Sequence, residues 1–166
     1  MGLIEVGDEA PAFTLPDASG RDHTLASYRG SMVVIYFYPK DDTPGCTREA
    51  CDFRDAWPTF EDLGVPVLGI SPDDEKSHAR FISKHDLPIT LLADVPEERD
   101  ESEKPVPPVC DAYGVWQEKS MYGRTYMGVA RTTYLIDADG HVAERWERVK
   151  VKGHVDAVLE AIRAGL

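Results

Sequence analysis

The sequence predicts one α/β domain, a mixed β-sheet with helices packed on both faces. Two observations carry this expectation. Residues 33–38 (Val-Val-Ile-Tyr-Phe-Tyr) form an unbroken run of β-branched and aromatic side chains, the pattern of a central strand covered on both sides. Further along, strand and helix patterns alternate and then give way to two strand-like runs flanking Ala138-Asp139-Gly140, the turn signal of an antiparallel hairpin. Parallel and antiparallel pairing are therefore expected in one sheet.

After the first run, residues 46–63 read as a helix. Residues 65–70 read as a second strand, although Pro66 and Gly69 interrupt it. Residues 73–85 read as a helix and residues 89–92 as a short third strand. The hairpin strands are residues 131–137 and 141–149. A final helix spans residues 153–164, with Val155, Val158, Leu159 and Ile162 on one face. No internal repeat or second domain is visible, so residues 1–166 are read as one domain. Residues 94–108 hold four prolines, six acids and two bases, and read as an exposed acidic loop insertion.

Composition narrows the function classes. Eighteen basic and thirty acidic side chains give a net charge of −12, which repels phosphate backbones and anionic lipid. Neither a nucleic-acid nor a membrane role is expected. No stretch reaches the roughly 20 apolar residues that span a bilayer, and residues 1–11 lack the pattern of a secretory signal. A cytoplasmic location is the resulting expectation. Three cysteines are too few for a disulfide-stapled secreted scaffold, so their spacing must decide what they do.

The informative stretch starts where the first strand ends, the place where open α/β sheets put their sites. Thr43-Pro44 is a helix-start signal, with a hydroxyl at the N-cap and proline at the first helical position. That registration puts Cys46 in the first turn, among backbone N–H groups and at the positive end of the helix dipole. Both favour the thiolate, the nucleophilic form. Cys51 follows five residues later. On a continuous helix that is a rise of about 7.5 Å and a rotation of about 140°, whereas a disulfide wants Cα atoms within about 6.8 Å. If the two sulfurs bond, the first turns of the helix must unwind. The plainer alternative is a pair of inert, buried thiols. A metal site fits poorly, because there is no Cys-x-x-Cys and His78 and His85 lie seven apart.

Pro39-x-x-x-Thr43-x-x-Cys46 resembles the active-site motif of peroxiredoxins, and Cys46-Thr47-x-Glu49-Ala50-Cys51 is similar to its bacterioferritin comigratory protein (PrxQ) version. The similarity extends to Gly7-Asp8-x-Ala10-Pro11-x-Phe13-x-Leu15, Gly69-Ile70-Ser71 with Asp73, residues 112–116 and Arg131-x-Thr133-Tyr134-Leu135-Ile136-Asp137. The resemblance implies a thioredoxin-like fold with an N-terminal β-hairpin extension. It also implies a peroxidase acting on hydrogen peroxide and organic hydroperoxides. Cys46 would become a sulfenic acid, Cys51 would resolve it as an intramolecular disulfide, and a thioredoxin-type dithiol would restore both thiols. Thr43 and Arg131 would face the thiolate or peroxide, Pro39 would shape the pocket, and Glu49 would orient neighbours. No cofactor is implied, and an intramolecular resolving thiol favours a monomer. Cys110 stays open between a bystander and a second resolving thiol. A redox sensor or disulfide oxidoreductase with little turnover is the alternative, although the latter normally carries Cys-x-x-Cys.

Overall fold

In the computed structural model, which describes residues 2–98 and 104–165, five strands build one mixed sheet with helices on both faces, and two separate strand pairs accompany it. The chain opens with a small antiparallel pair, β1 (Thr14–Pro16) and β2 (Asp22–Thr24), with Thr14 opposite Thr24. A five-stranded sheet follows from β3 (Val33–Phe37), β4 (Val67–Ser71), β5 (Thr90–Ala93), β8 (Thr132–Ile136) and β9 (Val142–Trp146), in the order β5-β4-β3-β8-β9. β3 pairs in parallel with β4, and β4 with β5. β3 pairs antiparallel with β8, and β8 with β9. This is the expected mixed, thioredoxin-like sheet with its N-terminal hairpin.

Every residue of β3 is buried, and its alternation divides the core in two. Val33, Ile35 and Phe37 join one cluster, with Phe13, Tyr113 and Tyr134. Val34, Tyr36 and Tyr38 join the other, under α1 (Pro44–Asp55), α2 (Trp57–Leu63) and α5 (His154–Gly165). Gly69 in β4 makes room for this second layer. A methyl group there would lie 2.7 Å from Leu91 Cδ2 and 2.8 Å from the Tyr36 ring, so the tyrosine lies flat across its backbone.

Three expectations need correction. The helix read over residues 46–63 is two helices, broken at Ala56, because Pro58 follows in the first turn of α2 and cannot donate a backbone N–H. Residues 116–129, left unassigned, form a hairpin of β6 (Trp116–Met121) and β7 (Arg124–Val129), turning at Tyr122-Gly123 with φ of 52° and 78°. The proposed exposed loop at 94–108 is not exposed at its start. Asp94 is fully buried and accepts hydrogen bonds from the amides of Val109 and Cys110 at 3.2 and 2.7 Å, at the start of α4 (Pro108–Ala112). Glu97 and Val106 exchange two backbone bonds of 2.9 Å that draw the segment's ends together, while residues 99–103 lie outside the described residues. Asp74 caps α3 (Glu75–His85) by accepting from the Ser77 amide at 2.8 Å.

Candidate active site

The loop from β3 into α1 is held from below and from the side. Asp41 is buried and accepts from Tyr38 Oη at 2.6 Å and from Ser77 Oγ at 2.8 Å, and its Oδ2 lies 2.7 Å from His78 Nδ1. The other ring nitrogen of His78 donates to the Leu92 carbonyl at 2.9 Å, and the Asp41 amide donates to Asp73 at 2.8 Å. Among the described residues, Asp41, Asp73 and His78 are the one cluster with metal-ligand spacing. Their ligand atoms are already engaged with protein groups, so the cluster reads as an anchor for the loop. Asp42 takes a left-handed backbone with φ of 58°, and its carboxylate accepts from Lys84 Nζ at 2.7 Å and meets His85 Nε2 at 3.2 Å. These two contacts hold its carboxyl below the usual range.

α1 then starts at Pro44 with Thr43 at the N-cap, as the sequence predicts. The hydroxyl does not cap the helix, however. It donates back to the Lys40 carbonyl at 2.8 Å. The first-turn amides therefore receive no side-chain cap and stay available to an anion beside Cys46.

Cys46 is buried in the α1 layer, and Arg131 Nη2 donates to its sulfur at 3.3 Å. The same guanidinium donates through Nη1 to Glu49 Oε1 at 2.8 Å. It reaches the sulfur over Gly45, where a methyl group would come within 3.1 Å of Nη2. Glu49 is fully buried, and burial pushes its carboxyl up to about 7 against the opposing pull of Arg131. Its Oε2 and the Tyr36 hydroxyl are both buried without a hydrogen-bond partner among the described residues. Burial, then the Glu49 and Cys46 charges, keep that phenol protonated. His154 lies nearby with Nε2 2.8 Å from Thr133 Oγ1; burial, then Arg131, lowers it to about 4, so it is neutral.

All three thiols are free, and Cys46 and Cys51 share the intact α1, with Cys51 half-buried. Cys110 belongs to the core cluster on the opposite side of the sheet from Cys46. Burial, then the neighbouring Asp94 carboxylate, pushes its thiol far up. In native protein a thiol reagent is accordingly expected to label Cys46 and Cys51, and Cys110 only after unfolding. Rapid native labelling of Cys110, seen by peptide mass spectrometry, would contradict this placement.

The structure thus brings Cys46, Arg131 and Glu49 into direct contact. Thr43 lies at the head of the same helix, and Pro39 is half-buried at the end of β3. Residue reading missed the Asp41–His78 anchor and the buried Tyr36 hydroxyl whose phenol feels the Glu49 charge. The one local signal was the acid-rich loop beside Cys46; the rest depend on contacts between distant segments.

The AhpC/TSA family profile matches residues 6–145. The chain belongs to this family of peroxiredoxins. It is 49% identical over 156 residues to the putative peroxiredoxin bcp of Coxiella burnetii, covering 94% of this chain and 97% of that one. It is 42% identical over 160 residues to peroxiredoxin Bcp of Bacillus subtilis, covering 96% of each. Among solved structures, the Xanthomonas campestris bacterioferritin comigratory protein, studied for alkyl peroxide reduction, superposes with a TM-score of 0.80 at 40% identity over 92% of this chain and 91% of that one. A Xylella fastidiosa PrxQ mutant gives 0.87 at 33% identity over 99% of each chain. This peroxiredoxin is thus of the Bcp/PrxQ kind, a thiol peroxidase, and among its described residues no helix is long and apolar enough to cross a membrane.

Proposed function

We propose that this peroxiredoxin reduces hydrogen peroxide and organic hydroperoxides through Cys46, with Cys51 as resolving thiol and a thioredoxin-type dithiol as reductant. The observation that carries the reading is the 3.3 Å contact of Arg131 with the Cys46 sulfur in the first turn of α1. A guanidinium and a helix N-terminus both favour the thiolate.

The Cys46 thiolate attacks the terminal peroxide oxygen. An S–O bond forms with a sulfur electron pair, the O–O bond breaks, and the leaving oxide takes a proton from water. Arg131 opposes the negative charge on sulfur before attack and on the leaving oxygen after it. The Thr43 hydroxyl donates its hydrogen bond to the Lys40 carbonyl, so its lone pairs are free to accept the peroxide O–H. In this scheme Pro39, half-buried at the end of β3 and without a backbone donor, shapes the peroxide pocket. Glu49 positions Arg131 through the 2.8 Å ion pair.

Cys51 then attacks the sulfenic sulfur, expelling hydroxide, which takes up the Cys51 proton to leave as water; the disulfide is the reversible rung of the oxidation ladder. Thiol–disulfide exchange with the dithiol restores both cysteines. An intramolecular disulfide needs no partner subunit, so the working unit is a monomer, and we place it in the cytoplasm, where such dithiols are kept reduced. The residues 1–166 act as one catalytic domain in this scheme.

Stoichiometric hydrogen peroxide added to reduced protein, followed by disulfide mapping, tests it, with Cys51→Ser and Cys110→Ser alongside. A fast Cys46–Cys51 bridge in wild type and in Cys110→Ser is the expected result. A Cys46 that hardly reacts would sink the peroxidase reading, and a Cys46–Cys110 bridge would remove Cys51 from it.

A further inference from the structure

Two buried acids meet one cation at the head of α1. Cys46 and Glu49 lie three residues apart on the buried face of the helix, with 2% and 0% of their surface exposed. Arg131 donates through Nη2 to the Cys46 sulfur at 3.3 Å and through Nη1 to Glu49 Oε1 at 2.8 Å. Glu49 Oε2 has no hydrogen-bond partner among the described residues, and no other ion pair reaches this carboxyl there. A buried carboxylate needs donors on both oxygens, because the solvation lost on burial is otherwise not replaced. Here one oxygen has its donor and the other has none.

This arrangement accommodates one negative charge and not two. With both a thiolate and a carboxylate present, a single guanidinium would be divided between two buried anions. A proton on Glu49 Oε2 breaks no existing hydrogen bond and leaves Oε1 to accept from Arg131. The partial positive charge of the helix N-terminus acts in the first turn, where Cys46 sits, and fades by the second, where Glu49 sits. The sulfur is therefore the better seat for the single charge. The remaining charged and titratable groups around the pair do not alter that choice. Tyr36 of β3 stays a phenol, Asp52 along α1 opposes the carboxylate, and His154 at the start of α5 is neutral. Lys119 of β6 attracts the Cys46 charge without a hydrogen bond or ion pair to it. Burial holds the Glu49 carboxyl at about 7, in keeping with a proton retained near neutral pH.

We propose that Glu49 and Cys46 share one proton, Glu49 being protonated when Cys46 is a thiolate, so that the pair presents a single negative charge to Arg131. In the exchange the Cys46 S–H bond breaks, its electron pair stays on sulfur, and the Glu49 carboxylate takes the proton as an O–H at Oε2. Nothing is oxidised or reduced. Glu49 is thus a positioning residue that acts through Arg131, and its protonation leaves the guanidinium's charge to the sulfur. During attack the negative charge passes from sulfur to the leaving oxygen, and a protonated Glu49 does not compete for Arg131. Once Glu49 ionises, Arg131 is divided and the rate per thiolate falls. This effect on rate rests on the peroxidase reading, whereas the shared proton does not.

The test titrates reduced wild type, Cys46→Ser, Cys46→Ala and Glu49→Gln by infrared spectroscopy, without peroxide. The protonated-carboxyl stretch that Glu49→Gln lacks belongs to Glu49. In wild type this band is expected to persist to a pH about one unit or more higher than in Cys46→Ser and Cys46→Ala, whose side chains stay neutral. Equal midpoints would overturn the proposal, because a Glu49 that only orients Arg131 does not respond to charge on the sulfur. A Glu49 band already missing from wild type at pH 6 would overturn it as well. Stopped-flow oxidation by hydrogen peroxide gives the second reading, with the thiolate fraction followed by its absorbance at 240 nm. The wild-type rate per thiolate is expected to fall about three- to tenfold through the Glu49 midpoint, while Glu49→Gln stays flat. Flat profiles in both proteins would remove Glu49 from the reaction. A wild-type Cys46 that ignores peroxide yet shows the shifted band would sink the peroxidase reading alone.

Discussion

Replacing Arg131 by methionine is expected to slow oxidation of Cys46 by hydrogen peroxide by about 10²–10³-fold, the usual loss when a preorganised donor to developing charge is removed. The donor in question is Nη2, 3.3 Å from the sulfur, and no other charged hydrogen-bond donor contacts that sulfur among the described residues. The substitution also leaves Glu49 in its buried position without a cation. Burial already lifts that carboxyl to about 7, and without the opposing pull of Arg131 it rises further, so the acid is neutral in the variant. The variant is therefore expected to stay folded while losing its rate, a separation that thermal unfolding and stopped-flow fluorescence check together. Arg131→Lys should recover only part of the rate, because an ammonium cannot bridge Glu49 and Cys46 in the same planar fork. A loss smaller than about threefold in Arg131→Met would mean that the helix N-terminus, rather than the guanidinium, sets the reactivity of Cys46.

Formation of the Cys46–Cys51 disulfide is expected to melt the first turns of α1. Both cysteines lie in this intact twelve-residue helix, and a helical separation of five residues keeps the Cα atoms beyond about 6.8 Å. The unwinding pulls Cys46 and Ala50 out of the core layer that they share with Phe53 and Tyr36. Peroxide-treated wild type should thus lose ellipticity at 222 nm and gain fast amide exchange over residues 44–51. Cys51→Ser, treated identically, should keep its helix. An oxidised wild type with undiminished helix would show that the bridge forms elsewhere.

Glu49 adds a pH dependence to the same event, because it lies between the two cysteines. Its carboxyl stands at about 7 when buried, against the ordinary 4.5 when released. The folded helix therefore binds the proton more tightly than the unwound one. Its stabilising contribution is complete below about 4.5 and is lost as pH rises through about 7. Across that window the loss is on the order of 3 kcal/mol. Reduced wild type should therefore melt at a lower temperature at pH 8 than at pH 5, relative to Glu49→Gln, which has no proton to lose. Parallel curves for the two proteins would show that Glu49 binds its proton equally tightly in the folded and unfolded protein.

Much of the scaffold was legible because its signals are short-ranged. The apolar run of β3, the 3.6-residue periodicity of α5 and the Thr43-Pro44 start of α1 each sit within a few residues of what they specify. Pro58 carried an equally local signal, the break between α1 and α2, which a reading for one long helix passed over. The β6–β7 hairpin was harder. Five of the six residues of β7 lack burial, and without a buried face there is no period-two alternation to read. Even the N-cap was half right: Thr43 stands in the predicted place, but its hydroxyl turns back to Lys40, a choice between two nearby acceptors that residue type does not settle.

The sequence by itself determined that Cys46 sits in the first turn of a helix at the end of a buried strand, with a second cysteine out of bonding reach on the same helix. Those facts follow from helix geometry and local capping preferences, which act over a few residues. Tertiary structure decided what surrounds the sulfur. Arg131 is 85 residues away in the chain, and it arrives because β8 pairs antiparallel with β3 in the register Phe37 opposite Thr132. That register puts the residue before Thr132 beside the end of β3, where α1 begins. Glu49 is an ordinary helix acid, in the second turn of α1, until the fold buries it, and Cys110 is an ordinary thiol until the sheet separates it from Cys46. Burial and sheet register are sums over contacts between distant segments, so no local pattern of residues encodes them.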